Sequence, residues 1–404
     1  MKKPTRIPEL DGLRGLAILL VIVFHYTNGE ALTRSSGLAY YVQRCAALGP
    51  TGVDLFFVLS GFLIGGILIE ARGSDSYFRT FYVRRFFRII PIYYLWICLY
   101  IALVSTAGRA IQARSFSDKP LPDGFKVYAH FLFIQNLVPF NWSAQSGLWG
   151  SWFGHLWSLA VEEQFYLLAP LMIAWLSSRR LLAVLVGIVG GAPLIRIVLL
   201  HFVHQIDTTR VMPFRADALA VGILVSVLWK DPVSRRWLHK NIRVIYWTAA
   251  GMLFAGFGPI YSVSGLESAF VFSFNFTSIT IFYALLVLIV LVESKGWIAW
   301  AMRIGWLRAV GRVSYCMYII HWVMDLFLHS VLLHARPQIV TLPGAGISLL
   351  AAIATYAVAW VSWELLEGPL VRIGHRFRYS VPIGNQDAIP LSEKRVPGQP
   401  GFWF

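Results

Sequence analysis

The sequence is poor in charged residues and in cysteine, and both shortages exclude broad classes of protein. Only 14% of its 404 residues are Asp, Glu, Lys or Arg, whereas a soluble domain carries about a quarter. Three cysteines are too few for a disulfide framework. The ten histidines are scattered, without the Cys–His spacing of a metal site, so we expect no metal. The chain also lacks the obvious internal repeat that transporters often show.

In place of charge, the chain has long apolar runs. Hydrophobic residues make up 57% and aromatic residues 15% of the sequence, and the mean hydropathy is +0.63. Many runs are long enough to cross a hydrocarbon core of about 30 Å. The pattern predicts an all-α integral membrane protein with about ten transmembrane helices and both termini cytoplasmic. The predicted spans are 10–28, 50–70, 87–106, 157–176, 181–202, 213–229, 243–261, 276–292, 312–334 and 343–366.

The net charge of +15 is a topology signal rather than a sign of nucleic-acid binding. With the N-terminus inside, roughly two thirds of the 35 Lys and Arg residues fall in inner loops, which is the positive-inside pattern. We therefore expect the lipid bilayer, and no nucleic acid, as a partner. Residues 1–375 are predicted to form one membrane domain, and 376–404 a polar, flexible cytoplasmic tail. The outer segment 107–155 is rich in Phe, Trp and Gly, and we expect it to fold back over the outer mouth in short pieces.

Two ionisable residues interrupt the first apolar run, Arg14 and His25. Such groups are costly at membrane depth and usually mark a pathway or a reaction site. Because eleven residues make just over three helical turns, both side chains share one face and lie about 16 Å apart along the helix axis. His25 can act as a general base or satisfy a buried hydroxyl. Arg14 can pair with a phosphate of a cytosolic donor or reach toward lipid headgroups.

A basic cluster precedes the third predicted span. Arg85 and Arg88 are three residues apart, so on a helix they share a face and suit a pyrophosphate or a ribose phosphate. The same cluster also fits the ordinary positive-inside pattern. From the residues alone, both interpretations remain open.

Acidic residues occur at the outer ends of two spans, and we regard them as catalytic candidates that could orient the imidazole of His25. Asp54 requires a partner, which can be His25, an arginine, or a helix N-terminus that it caps. Glu162 and Glu163 open the fourth span, and they point about 100° apart on a helix. The two carboxylates therefore cannot both face the same small site. We expect a role for at least one of them.

Further polar residues lie toward the outer side of later spans, and we regard them as acceptor-side candidates. Arg215 is expected to pair with Asp217 or with a glutamate of the fourth span, which would be a structural ion pair. His321 lies near mid-depth and can equally be a satisfied core residue. The full set of acceptor-side candidates is Arg196, Arg215, Asp217 and His321.

Together these segments resemble the membrane acyltransferase-3 family, the bacterial O-acetylases and O-acyltransferases of surface carbohydrates and some small molecules. RIPELDGLRGLAILLVIVFH is similar to the first-helix signature of the family, and GVDLFFVLSGFLI is similar to the second. RRFFRIIPIYY resembles its cytoplasmic Arg-x-x-Arg element. LWSLAVEEQFYLLAPL and VSYCMYIIHW resemble further blocks, so the resemblance extends in order through most of the chain.

The resemblance implies acyl transfer from acyl-coenzyme A, by default acetyl-coenzyme A, without a bound cofactor. The acceptor would be a hydroxyl of a carbohydrate or glycolipid, such as an exopolysaccharide or a lipopolysaccharide. His25 would be the catalytic base or acyl carrier, and the three arginines named above would bind the donor. The Glu162 and Glu163 block is also a family feature. The location would be the bacterial cytoplasmic (inner) membrane, with polysaccharide-assembly proteins as further partners.

Two other classes of function fit the composition. A proton-coupled transporter or flippase of a polar or lipid-linked substrate would also carry intramembrane His, Glu and Arg. A non-catalytic partner of a polysaccharide synthase is the third class, but it leaves the alignment of Arg14 with His25 unexplained. Substrate-dependent release of free coenzyme A would reject a pure transporter.

Overall fold

The computed structural model describes residues 7–27, 46, 48–114, 124–137, 153–202, 210–257, 266–335, 337–339 and 341–380. All regular secondary structure in these ranges is helical, and the predicted all-α class is confirmed. The helices are α1 (Pro8–Thr27), α2 (Thr51–Ala71), α3 (Tyr77–Arg114), α4 (Gly124–Phe131), α5 (Trp157–Trp175), α6 (Ser178–Phe202), α7 (Met212–Lys230), α8 (Pro232–Lys240), α9 (Ile242–Phe257), α10 (Leu266–Val292), α11 (Trp297–Met302), α12 (Gly305–Arg312), α13 (Ser314–Leu332), α14 (Leu342–Ser362) and α15 (Gly368–Gly374). A 3₁₀ turn, Gly154–Leu156, precedes α5, and a π turn, Trp363–Glu367, joins α14 to α15.

Eight helices of the described residues are long and apolar enough to cross a membrane, so the chain is a multi-pass membrane protein. The count of ten is not confirmed, because two predicted spans fall outside these eight. Helix α5 is 19 residues long, but Glu162 and Glu163 lower its hydropathy. Helix α9 has 16 residues, a length of about 24 Å, which is short of the hydrocarbon core.

Helix α3 begins well before the predicted start of its span at residue 87. Its first turns pack into the bundle through Tyr77 and Phe81, both buried. Arg85 and Arg88 therefore lie within the helix and not in a loop that precedes it. The basic cluster therefore lies inside the helix bundle, and not at the membrane surface where the sequence predicts it.

Helices α2 and α7 cross at close range. A Cβ atom on Gly61 would collide with the backbone of Leu219, and one on Gly222 would collide with the backbone of Val58. Only glycine allows the two backbones to approach this closely, as small residues do at many membrane helix crossings. The crossing fixes α2, which lines the site described below.

Helix α1 is held in a similar way by α12. Gly15 packs against the backbone of Leu307, and Gly311 packs against the backbone of Asp11. These contacts fix the start of α1 and so the position of the polar residues along it.

The basic ends of several helices lie on one face of the bundle. Gly374, at the end of α15, packs against Arg84 and Phe87 near the start of α3. The Arg84 side chain also donates from Nε to the Phe377 carbonyl, at 2.9 Å. We call this the inner face because the charge pattern predicts that it meets the cytoplasm. The placement of both termini in the cytoplasm stays a prediction.

The outer segment folds against the bundle where it is described. Tyr94 donates from its hydroxyl to the carbonyl of Phe131, the last residue of α4, at 2.7 Å. The Gln164 amide donates to the Phe133 carbonyl at 2.9 Å. The other parts of the predicted 107–155 segment, 115–123 and 138–152, lie outside the described residues, as does the predicted tail from 381 onward.

Candidate active site

Three histidines from distant parts of the chain meet at the outer end of α1. His25 Nδ1 lies 2.8 Å from His321 Nε2. The His155 ring centroid is 4.9 Å from that of His321 and 6.2 Å from that of His25. Trp322 covers the cluster, with its ring centroid 4.3 Å from that of His25. We call His25, His155 and His321 the histidine cluster.

Local structure explains how the histidines that face His25 are held. His321 follows the first turns of α13, and its Nδ1 lies 2.8 Å from the Tyr318 carbonyl and 3.2 Å from that of Met317. His155 belongs to the 3₁₀ turn and donates from Nε2 to the Ile319 carbonyl, at 3.1 Å. Both rings are buried, so neither orientation depends on solvent.

No pattern in the sequence points to a role for His155. It is a single histidine just before a helix start, and no helical spacing links it to His25 or His321. Only the packing of the 3₁₀ turn on α13 brings it into the cluster, and that contact spans more than 160 residues. A local sequence pattern could not have identified it.

A cavity with about 750 Å³ of empty space extends through the bundle toward the cluster. Its wall on α2 runs from Val53 to Ile64, a rise of about 16 Å. Helices α1, α2, α3, α5 and α13 line the cavity, mostly with apolar side chains. Its remaining lining residues are Arg14, Phe56, Phe57, Ser60, Leu63, Arg85, Arg88, Ile89, Ser158, Leu159, Glu162, Tyr166, Ser314, Tyr315 and Tyr318.

The inner end of the cavity is basic. Arg14 from α1 lines it together with Arg85 and Arg88 from α3, and we call these three the arginine cluster. The Arg85 guanidinium carbon lies 5.6 Å from the centroid of the Tyr166 ring, within the range of cation–π attraction. Three guanidinium groups at one end of an apolar cavity suit a phosphorylated ligand.

The structure separates the two adjacent glutamates of α5. Glu162 lines the cavity and accepts a hydrogen bond from the Ser60 hydroxyl at 2.6 Å. The Tyr166 hydroxyl in turn donates to Ser60, at 3.3 Å. Glu163 does not line the cavity. Of the two carboxylates, Glu162 therefore shares the cavity lining with the arginine cluster.

Tyr318 connects the cavity to the histidine cluster. It lines the cavity, and its ring centroid lies 5.5 Å from that of His155 and 5.7 Å from that of His321. Its hydroxyl donates to the His155 carbonyl at 2.8 Å and lies 2.5 Å from the Ser158 hydroxyl oxygen. The cavity therefore ends one side chain away from the histidine cluster.

Two buried ion pairs connect helices of the bundle. Arg215 donates from Nη1 to Asp54 at 2.8 Å, and Arg196 Nη2 lies 2.7 Å from Asp217. Thr277 also donates to Asp217, at 2.8 Å. The partner of Asp54 is thus an arginine, rather than His25 or a helix N-terminus. The pairs join α2, α6, α7 and α10.

One histidine outside the spans borders the inner end of the site. His375 follows α15, and its pKa is lowered to about 4, first because it is buried and then because Arg84 and Arg88 are near. The imidazole is therefore neutral at pH 7 and adds no charge to the arginine cluster.

Metal ligation has no evident site in the described part of the chain. There, no group of three or more His, Cys, Asp or Glu residues is placed to hold a metal ion.

Comparison with known proteins places these residues in a wider context. A family model described as an acyltransferase domain, of the acyltransferase-3 type, matches residues 7–364. The chain is 27% identical over 391 residues to the O-acetyltransferase OatA of Staphylococcus aureus strain NCTC 8325 / PS 47, a match that covers 93% of this chain and 59% of the relative. OatA of strains COL and MRSA252 matches with the same values. The chain thus spans about three fifths of the length of these curated relatives, and no solved structure matches it.

Proposed function

Because the chain belongs to the acyltransferase-3 family, we propose that it is a membrane O-acyltransferase that uses acyl-coenzyme A. The transferred group would be acetyl by default, since the relatives are named O-acetyltransferases. The acceptor would be a hydroxyl of a carbohydrate, such as an exopolysaccharide, a lipopolysaccharide or a similar glycan. One observation carries the proposal: a single cavity joins the arginine cluster to the side chain that touches the histidine cluster.

The arginine cluster would bind the phosphates of coenzyme A from the inner face. Guanidinium groups bind phosphates through paired, charge-assisted hydrogen bonds. Three of them converge here, from α1 and α3. Glu162 lies across the cavity and would orient the guanidinium groups. The apolar walls between the two ends would take the pantetheine arm, which brings the thioester toward Tyr318.

His25 would carry the chemistry at the outer end. In direct transfer, its imidazole takes the proton of the acceptor hydroxyl while the oxygen attacks the thioester carbonyl carbon. The carbon–sulfur bond then breaks, and the coenzyme A thiolate takes the proton from the imidazolium. In the covalent route, a His25 ring nitrogen attacks the thioester carbonyl carbon, the carbon–sulfur bond breaks and coenzyme A leaves as the thiolate. The acceptor hydroxyl then attacks the acyl carbon, the nitrogen–acyl bond breaks, and the hydroxyl proton passes to the thiolate.

The acceptor would approach from the outer face, near the end of α1. His25 is partly exposed there, and Trp322 offers an aromatic surface to a sugar ring. The location would be the bacterial cytoplasmic membrane, and polysaccharide-assembly proteins would deliver the acceptor. The ion pairs of Asp54 and Arg196 would hold the surrounding helices in place.

The test is acyl transfer in membranes that contain the wild type or His25→Ala, with radiolabelled acetyl-coenzyme A and host surface glycans. We expect label in the glycan and release of free coenzyme A with the wild type, and neither with the variant at equal abundance. Label that persists in the variant would remove His25 from the chemistry. Movement of a polar or lipid-linked substrate across the membrane without release of coenzyme A would favour a transporter.

A trapping experiment separates the two routes. Rapid quenching with labelled donor and no acceptor should leave label on the wild-type protein, and none on His25→Ala, if the covalent route operates. Absence of label on the wild type would support direct transfer.

A further inference from the structure

The hydrogen bonds of His321 fix which of its nitrogens carries a proton. Its Nδ1 faces the carbonyl oxygens of Tyr318, at 2.8 Å, and Met317, at 3.2 Å. Carbonyl oxygens only accept, so Nδ1 must carry the hydrogen. The His321 side chain is fully buried, and a lone imidazolium there would be costly. The neutral ring has a single hydrogen, which leaves Nε2 as an acceptor.

The acceptor of His321 faces His25. His25 Nδ1 lies 2.8 Å from His321 Nε2, and a hydrogen bond between the two needs one donor. Since His321 Nε2 has no hydrogen, His25 must donate from Nδ1. A neutral His25 then has its lone pair on Nε2, the nitrogen turned away from His321.

We propose that His321 is a positioning residue that holds His25 in the tautomer whose Nε2 is free to react. This inference rests on the proposed function for its chemical meaning, since it assumes that His25 reacts at Nε2. The arrangement is like that of a catalytic triad, in which a group hydrogen-bonded to Nδ1 fixes the tautomer of the catalytic histidine. Here a neutral imidazole replaces the carboxylate.

The proton balance of the transfer step is unaffected by His321. Nε2 of His25 takes the hydroxyl proton and later returns it to the coenzyme A thiolate, while the Nδ1 hydrogen stays in place. While His25 is an imidazolium, its hydrogen bond to His321 becomes charge-assisted and therefore stronger. An interaction that strengthens in the transition state raises kcat rather than donor binding.

The other groups around His25 do not take over this role. His155 uses Nε2 for the Ile319 carbonyl. Arg210, which precedes α7, acts on His25 as a nearby cation. A guanidinium has no lone pair that could accept the Nδ1 hydrogen, and His155 Nε2 is used as a donor, so neither group replaces His321 Nε2. His321 is the residue whose lone pair points at Nδ1.

Two substitutions of His321 test the proposal. His321→Phe keeps the ring but removes the acceptor, whereas His321→Gln puts an amide oxygen at the same number of bonds from Cβ as Nε2. We expect kcat to fall by about 10²-fold or more in His321→Phe, with little change in the KM for acetyl-coenzyme A. His321→Gln should recover a large part of the loss.

His329→Phe is the matched control. His329 is also a buried histidine of α13, two turns farther along, and its Nδ1 bonds to the Asp325 carbonyl at 3.0 Å. We expect this variant to keep its kcat per folded protein. If kcat falls equally in His329→Phe and His321→Phe and does not recover in His321→Gln, then His321 contributes only through packing.

A spectroscopic readout tests the tautomer without any acyl transfer. Ring-¹⁵N-histidine NMR of the full chain in lipid nanodiscs should show a His25 with the hydrogen on Nδ1, its signals identified by their loss in His25→Ala. In His321→Phe the hydrogen should move to Nε2. A wild-type hydrogen on Nε2, or no change in His321→Phe, would overturn the inference. If the predicted tautomer is found but the wild type transfers no acyl group, the proposed function fails while the tautomer assignment stands.

Discussion

Replacing Asp54 by leucine is expected to cost far more stability than replacing Asp54 and Arg215 together. The pair is almost completely buried, with side-chain exposures of 2% and 6%, and its atoms lie 2.8 Å apart. At an effective dielectric constant of about 20 their attraction is about 6 kcal/mol. This attraction offsets the cost of removing two charges from solvent.

The single variants upset that balance. Asp54→Leu leaves the buried Arg215 guanidinium without this carboxylate. Arg215→Met leaves the buried Asp54 carboxylate without this guanidinium. Breaking a buried pair in this way costs about 3–5 kcal/mol. The double variant Asp54→Leu/Arg215→Met removes both charges together and should recover most of the loss, because apolar replacement of a buried pair is often close to neutral.

The same two helices offer a matched control. Lys230 of α7 bonds to Glu70 of α2 near the inner face, where the two side chains are 19% and 48% exposed. A solvated pair of this kind contributes about 0–1 kcal/mol. We therefore expect Glu70→Gln to change stability much less than Asp54→Leu does.

Thermal unfolding of purified protein in detergent, followed by intrinsic tryptophan fluorescence, measures all four variants. Acetyl transfer per folded protein is measured on the same samples. A double variant as unstable as either single variant would refute the argument that the ion pair explains the cost. A double variant that folds but transfers no acetyl group would give the pair a role in transfer, as the sequence suggests for Asp54 on the catalytic side and for Arg215 on the acceptor side.

Three further predictions concern the cavity, the helix crossing and the inner edge. Arg88→Met should raise the KM for acetyl-coenzyme A about ten- to a hundredfold in initial-rate assays, because a charged hydrogen bond contributes about 1.5–3 kcal/mol. Gly222→Leu should lower the unfolding temperature, since its Cβ meets the Val58 backbone, whereas Gly187→Ala, with open space around it, should not. The pKa of His375 is about 4 in the folded protein and about 6.5 when unfolded. Between these two pH values the unfolded state therefore binds more protons than the folded state. Stability should therefore fall as the pH drops from about 6.5 to about 4, and His375→Gln should flatten that dependence in thermal unfolding.

Helical periodicity accounts for what the sequence predicts well. The shared face of Arg85 and Arg88 follows from their spacing on one helix, and both line the cavity. The alignment of Arg14 with His25 rests on the same periodicity and stays a prediction. The all-α membrane class follows from the length and apolarity of the runs, and it is confirmed. Each of these predictions depends on interactions within a single segment.

Contacts between distant segments account for what the sequence does not predict. The sequence marks His321 as one candidate among several, and only the fold places its Nε2 against His25. No pattern in the sequence marks His155. Asp54 had three possible partners, and only the crossing of α2 with α7 selects Arg215. No spacing rule connects residues that lie more than 100 positions apart.

The cost of polar groups in a membrane provides a way to separate structural residues from chemical ones. Asp54 and Arg196 are buried in ion pairs inside protein, which offsets their cost and holds helices together. Arg14 and Arg88 face a cavity, and His25 remains partly exposed, so a ligand can reach them. Substitutions in the ion pairs should therefore lower the unfolding temperature without changing kcat per folded protein. Substitutions of the cavity arginines should raise the KM for the donor, and substitutions of His25 should lower kcat, both without a change in the unfolding temperature. A residue whose substitution changes both stability and activity would belong to neither group.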